Sequence, residues 1–448
     1  MSGLVRFLHA SDFHLEAAPH GLVELPAALK DALLEAPYQA AQRVFDSAIA
    51  EHVDFVILSG DLLDVHLAGP RGIAFLVEQF ERLEGQGIAT YWAAGKVDEP
   101  AEWPAAVKLP ASVQVFPTFK TEEVSHFRGE KALANLIGRS FAGTTTIQAA
   151  DFGGDSGGLA SIGITYGRAD VERLAARPID YWALGSRHDR QSLSVRRLGG
   201  EDAAEWHAAG LIHYPGSPQG RGLDESGPHG CTLVHISDER TVRTQFLATD
   251  LVRWHDEHLT IEKEEARGDV KRRVAERMKL LVSQSQNRPL LVQWTLHGGE
   301  RLGTPYQKRQ WCGDLLDWLR SEFGREEPPA WPLAVRMDDA SMLPRGWEDE
   351  DSMLGDFLRV VHEQQSANAE PLDVSGYLPE SMAETDRLKL AEWMSAETRS
   401  DVLSEAAALG AQLLGAEEGL FEKDDRRQET GDRRQEAGDR KQLSRLAV

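Results

Sequence analysis

Three short stretches of this 448-residue chain bring together side chains that bind metal ions. Asp12-Phe13-His14 sets a carboxylate and an imidazole two residues apart, a spacing that in an extended chain turns both to one side. Ser59-Gly60-Asp61-Leu62-Leu63-Asp64 offers two carboxylates, and Ser186-Arg187-His188 ends in another imidazole. Asp61 has two oxygens and could bridge two cations. Oxygen and nitrogen donors together suit Mn, Fe or Zn better than Mg or Ca. Singly these signals are weak, because two acidic residues after a strand read equally well as a helix N-cap. As a set they make a metal-binding constellation.

Each stretch follows an apolar run that must position it. Val5 to Ser11, Val53 to Leu58 and Tyr181 to Gly185 are short, bulky and bounded by turn residues, so they read as buried strands. In open α/β sheets, chemistry collects at the carboxyl ends of such strands. Between them, Tyr38 to His52 and Gly72 to Leu83 carry apolar residues at helical spacing and read as helices covering a sheet. His9 is one residue off the parity of Asp12 and His14 and reads as a hydrogen-bonded core residue. His66 reads as a solvent-facing histidine. Asp64 and Asp98 read as supports for their loops.

The order of these motifs resembles the calcineurin-like metallophosphoesterases. The string Tyr214-Pro215-Gly216-Ser217-Pro218-Gln219-Gly220-Arg221, with Phe7 to Leu15, is similar to the bacterial SbcD and YhaO-type DNA repair exonucleases, over roughly residues 4 to 250. The resemblance implies a two-metal phosphodiesterase on an α/β/β/α sandwich. Carried over residue by residue, it implies a complete first-metal set of Asp12, His14, Asp61 and His188. The second set departs from the family pattern. Lys96 and Val97 stand where the family has an Asn ligand and a catalytic His, Tyr166 replaces a His, and Ser186 replaces another. Only Asp61 remains of that set, so one divalent transition metal is expected and the second is not. Lys96 is read either as a cation standing in for the missing metal or as an exposed loop lysine.

Two function classes remain open. One is a metal-dependent DNA exonuclease or one-metal phosphodiesterase. The other is a nuclease-shaped subunit with impaired two-metal catalysis that binds DNA ends or a partner. The resemblance implies a coiled-coil ATPase partner of the SbcC or YhaN type, and a second copy of the chain is the other partner candidate. The net charge of −23 argues against a protein that coats duplex DNA by overall attraction. It leaves room for a local lip of Arg168, Arg187, Arg190 and Arg221 beside the site loops.

Four regions are expected: the phosphoesterase domain over 1–250, a small α/β cap over 251–335, a helical region over 336–420, and a mixed-charge repeat tail over 421–448. Residues 16–36 read as a loop with a short helix, and 199–206 as a polar surface excursion. With Cys231 and Cys312 far apart, neither a disulfide framework nor a thiolate zinc site is expected. Without an apolar run of 18 residues or a basic leader, the expectation is a cytoplasmic chain without a membrane segment.

Overall fold

The computed structural model describes residues 5–365 except 18, 20–24, 154–156, 194–196, 200–203, 208–209, 300–301, 304, 326 and 339–346, together with 402–403, 406–407, 409–411 and 413–414. The repeat tail and most of the helical region expected over 336–420 lie outside these residues. The described residues fall into two compact units. One comprises Met1–Asp256, Lys279–Gln293 and Glu322–Leu333; the other comprises Glu257–Met278, Trp294–Ser321 and Ala334–Val448.

The first unit begins with alternating strands and helices: β1 (Val5–Ala10), α1 (Ala27–Ala50), β2 (Phe55–Leu58), α2 (Val65–Gly85), β3 (Ala89–Trp92) and β4 (Val113–Val115). A hairpin of β5 (Glu122–Arg128) and β6 (Lys131–Arg139) leads to β7 (Ala160–Tyr166), α3 (Val171–Ala175) and β8 (Tyr181–Gly185). Then come β9 (Gln191–Leu193), β10 (Arg197–Gly199), β11 (Ala204–His207), β12 (Leu211–Tyr214), β13 (Gly230–Ile236) and β14 (Val242–Ala248). They form an eight-stranded sheet, β10-β11-β14-β13-β1-β2-β3-β4, and a six-stranded sheet, β5-β6-β7-β8-β12-β9.

Alternation along the strands builds the layers. Phe7, Phe55 and Tyr91 of the first sheet meet Leu136, Ile164, Tyr181 and Ala183 of the second in one buried cluster. On the opposite face of the first sheet, Leu8, Val56, Leu58 and Trp92 receive Val44, Phe45, Phe80 and Leu83 of α1 and α2. Leu174 of α3 packs with Trp182, Leu184 and Ile212 on the outer face of the second sheet. The fold is therefore the α/β/β/α sandwich of the metallophosphoesterases.

Two local expectations are corrected. The short helix expected within the loop over 16–36 is instead the start of the long α1, which begins at Ala27 because Leu29 and Leu33 bury against Trp254 and Leu291. Within the surface excursion expected over 199–206, Gly199 ends β10 and Ala204 to Trp206 lie in β11, which pairs with β10 on one side and β14 on the other. A polar segment can join a sheet edge because pairing needs only backbone groups.

A third sheet has the order β15 (Arg253–Ile261), β16 (Leu290–Gly298) and β17 (Ala330–Met337). α4 (Arg267–Gln284) precedes β16, and α5 (Pro305–Phe323) follows it. In the second unit, α6 (Met353–Gln365) packs Leu358 and Val361 with Leu403 and Ala407. Among the described residues, no helix is long and apolar enough to cross a membrane.

His9 lies fully buried between the sheets. Its Nδ1 pairs with the Tyr181 hydroxyl at 2.9 Å and its Nε2 with the Ser59 hydroxyl at 2.8 Å. Burial pushes its pKa from the ordinary 6.5 down to about 3. The fold thus holds the neutral ring, so this contribution is present above pH 6.5 and is lost as pH falls from there toward 3. Unfolding free energy should drop by about 1.4 kcal/mol per pH unit in that window from this group alone. Denaturant titrations across the window measure the slope. His9→Gln, which does not titrate, should flatten it by about one proton.

Candidate metal centre

The parallel register of β1, β2 and β3 brings their carboxyl ends to one edge. Backbone bonds then zip the first two loops together: Asp12 N–H donates to Gly60 O at 2.9 Å, and His14 N–H to Asp61 O at 3.1 Å. β8 ends close by, and Gly185 permits the approach, since a Cβ there would lie 1.8 Å from Ser59 O. Asp12, His14 and His188 each point a ligand atom into one space, all within 4.8 Å of one another. Asp61 Oδ2 lies 3.7 Å from His14 Nε2. Three of the four residues expected around the first metal thus share one space, and Asp61 lies beside His14.

The geometry that gathers them differs from the extended chain read from the Asp12/His14 spacing. Asp12, His14, Asp61 and Ser186 have φ values of 55°, 45°, 52° and 100°. Side chains rarely adopt this left-handed region, and such residues cluster at functional sites. The loop after β1 curls, and both side chains converge through that curl.

Asp12 is fully buried. Its Oδ2 accepts the Ser11 hydroxyl at 2.5 Å, and the Ser186 amide donates to the same carboxylate at 3.1 and 3.2 Å. Burial, reinforced by the nearby Asp61 charge and only partly offset by these bonds, pushes Asp12 up from 3.8 to about 7. His14 Nδ1 pairs with Glu16 Oε1 at 3.1 Å, while its Nε2 is buried without a hydrogen-bond partner. A buried carboxylate short of positive charge beside an orphaned imidazole nitrogen fits a cation. Two nitrogens and one or two carboxylate oxygens are a donor set for Mn, Fe or Zn.

The positions expected to be degenerate surround Asp61. Its Oδ1 accepts the backbone N–H groups of Lys96 at 2.6 Å and Val97 at 3.2 Å. Its Oδ2 accepts the Tyr166 hydroxyl at 2.5 Å. Burial, with the Asp61 charge next, pushes the Tyr166 phenol well above its usual range, so it stays a donor. The Lys96 side chain is exposed, and the amide rather than the ammonium reaches Asp61. Ser186 contributes its backbone amide to Asp12. Gly95 is required here, because a Cβ would lie 2.3 Å from Asp61 Oδ1. Asp98 holds this loop, accepting from Gly95 N at 2.5 Å, Leu62 N at 3.0 Å and Trp92 Nε1 at 3.1 Å. Asp64 caps α2 through the His66 and Leu67 amides.

The arginines divide. Arg168 and Arg187 are exposed, with Arg187 5.4 Å from the Tyr214 ring centroid. Arg190 is half-buried over Phe246. Arg221, expected on the lip, is instead turned inward, bonded to Glu225 at 2.7 Å and lying 2.9 Å from His188 Nδ1. Glu225 was missed from the sequence, as was Glu16. His188 Nδ1 lies 2.7 Å from Glu225 Oε1. Burial opposes ionisation of Glu225, but its bonds to His188 and Arg221 outweigh it and hold the carboxyl well below its usual range. Neither glutamate lies in a motif; each is visible only once the loops are folded.

An aspartate and two histidines thus converge at the strand ends of an α/β/β/α sandwich as a group that could hold a metal ion. No protein-family model matches the chain. It is 28% identical to the uncharacterized metallophosphoesterase YhaO of Bacillus subtilis strain 168 over 370 residues, 79% of this chain and 86% of that one. It is 34% identical to the DNA double-strand break repair protein Mre11 of Saccharolobus solfataricus over 97 residues, 22% of this chain and 23% of that protein. These likenesses support a place for the chain among the metallophosphoesterases, proteins that use divalent metals.

Elemental analysis of protein purified in the presence of Mn²⁺ should find about one metal per chain. The Asp12→Asn and His14→Ala variants should each lose most of it, because truncating a ligand leaves too few donors for tight binding.

Proposed function

We propose that the chain is a subunit of the DNA-repair-nuclease type that holds one divalent metal, recognises phosphodiester ends, and lacks two-metal hydrolysis. The observation that carries this reading is the saturation of Asp61. A carboxylate oxygen has two lone pairs. Two amides take both on Oδ1, and the Tyr166 hydroxyl takes one on Oδ2. What remains faces His14, so Asp61 can serve the first metal but cannot bridge to a second. Lys96, Tyr166 and Ser186 provide none of the missing ligands, and Val97 has no proton to give a leaving group.

A single ion, when bound, supplies positive charge to a phosphate oxygen. Two-metal hydrolysis needs a pair of ions to clamp both the attacking and the leaving oxygens. The residues around the centre instead support holding a phosphate: Arg187 and Arg168 are exposed near the ends of β8 and β7. The name of the Mre11 relative supports DNA ends as the phosphodiester in question. From the motif resemblance read in the sequence we further propose a coiled-coil ATPase as the partner, and keep the four-part domain division with the phosphoesterase region over 1–250.

Incubation with Mn²⁺ and linear duplex or single-stranded DNA should give negligible degradation. The quadruple change Lys96→Asn, Val97→His, Tyr166→His and Ser186→His should raise it. Robust degradation by the unaltered chain, abolished by Asp61→Ala, would contradict the reading. Binding to DNA ends should fall steeply with salt, and Arg187→Glu should weaken it and lower the slope of log K against log salt by roughly one.

A further inference from the structure

Both imidazoles of the centre rest on a buried carboxylate. Glu16 and Glu225 expose only 8% and 5% of their side chains. Such groups are buried only where they are bonded. Glu16 Oε1 faces His14 Nδ1, and its Oε2 accepts the Asp64 amide at 2.9 Å, which ties the β1 and β2 loops together. Glu225 Oε1 faces His188 Nδ1, and its Oε2 accepts the Arg221 amide at 3.0 Å. Further bonds fix this second arrangement. His229 pairs with the Ser217 hydroxyl and with the Glu225 backbone oxygen, both at 2.9 Å, and the Ser217 amide donates to His188 O. The Tyr-Pro-Gly-Ser-Pro-Gln-Gly-Arg string thus leads straight into the support of one histidine.

Proton bookkeeping favours one form of the ring. Arg221 Nη2 lies 2.9 Å from His188 Nδ1 and 3.5 Å from its Nε2, and Glu225 Oε1 lies 2.7 Å from Nδ1. A guanidinium only donates and a carboxylate only accepts. A bare Nδ1 could accept from Arg221 but would set its lone pair against the closer Glu225 oxygen. An Nδ1–H donating to Glu225, with Arg221 donating to the same oxygen at 2.7 Å, satisfies all three groups. The same logic at His14 leaves Nε2 with the lone pair, and that atom is the buried one without a hydrogen bond.

We propose that Glu16 and Glu225 are positioning residues that lock His14 and His188 in the Nδ1–H tautomer, so that both Nε2 lone pairs face one metal ion. The inference rests on the one-metal reading above. Carboxylates that hold metal-ligating histidines typically change metal affinity 10–100-fold when removed.

The test uses the full chain with ¹⁵N-labelled histidine. In the metal-free protein, long-range ¹H–¹⁵N spectra should show His14 and His188 as Nδ1–H. Glu225→Ala should release His188 from that tautomer and leave His14 unchanged, with Glu16→Ala doing the converse. Co²⁺ affinity should fall roughly 10–100-fold in each, and Glu225→Gln, which keeps an acceptor oxygen, should recover part of the loss. If Glu225→Ala strands Arg221 and fails to fold, Glu16→Ala tests the claim at His14, with metal-free melting as the folding control. An Nε2–H tautomer in the unaltered chain, or unchanged Co²⁺ affinity in folded alanine variants, would overturn this inference alone. Failure of the unaltered chain to bind Co²⁺ would overturn the one-metal reading and this inference with it.

Discussion

Asp61 is the residue on which the rest of the centre depends. It sits at the end of β2 with φ of 52°, its carboxylate held by two amides of the loop after β3 and by a phenol at the end of β7. Three strand ends from two sheets therefore meet on one side chain. The Tyr166 ring also wedges this junction, because Cβ atoms built on Gly60 or Gly95 would lie 2.7 or 2.9 Å from it. A histidine at that position would turn a nitrogen lone pair into the same space. A phenol instead turns in a hydrogen-bond donor, and the Tyr166 hydroxyl donates to Asp61 Oδ2 at 2.5 Å.

Holding ligands this way is costly. A left-handed side-chain residue costs of order 1–3 kcal/mol, and four of them, Asp12, His14, Asp61 and Ser186, border the centre. The strain persists because the surroundings over-determine it. The β1 and β2 loops are joined by successive backbone bonds, Asp98 stitches the β3 loop to β2 from below, and the strands feeding all three are buried on both faces. Glu16 and Glu225 complete the frame. The sandwich thus functions as a rigid mount for a small, electron-rich cleft in a strongly acidic chain.

Much of this was legible in the sequence. Buried strands announced themselves as short apolar runs ending in turns, and the order of motifs carried the sandwich. The approach of Asp12, His14 and His188 to one another followed from those strand ends. What was hidden depended on contacts remote in sequence. The Tyr166 hydroxyl on Asp61 spans 105 residues, and Glu225 meets His188 across 37. Arg221 looked like a surface cation because its meeting with His188, 33 residues earlier, is not visible from the local sequence. The early start of α1 was hidden for the same reason: Leu29 and Leu33 find their partners in Trp254 and Leu291, far along the chain. The Asp12/His14 spacing pointed to the right pair through the wrong backbone, since periodicity carries no information about left-handed residues.

The central claim is that a single metal position exists and that Tyr166 closes the other. Anomalous diffraction from crystals grown with Mn²⁺ addresses it directly. The account predicts one anomalous peak among Asp12, His14, Asp61 and His188, with the Tyr166 hydroxyl still on Asp61. A second peak on the far side of Asp61, toward Ser186 and Lys96, with Tyr166 swung away, would contradict it.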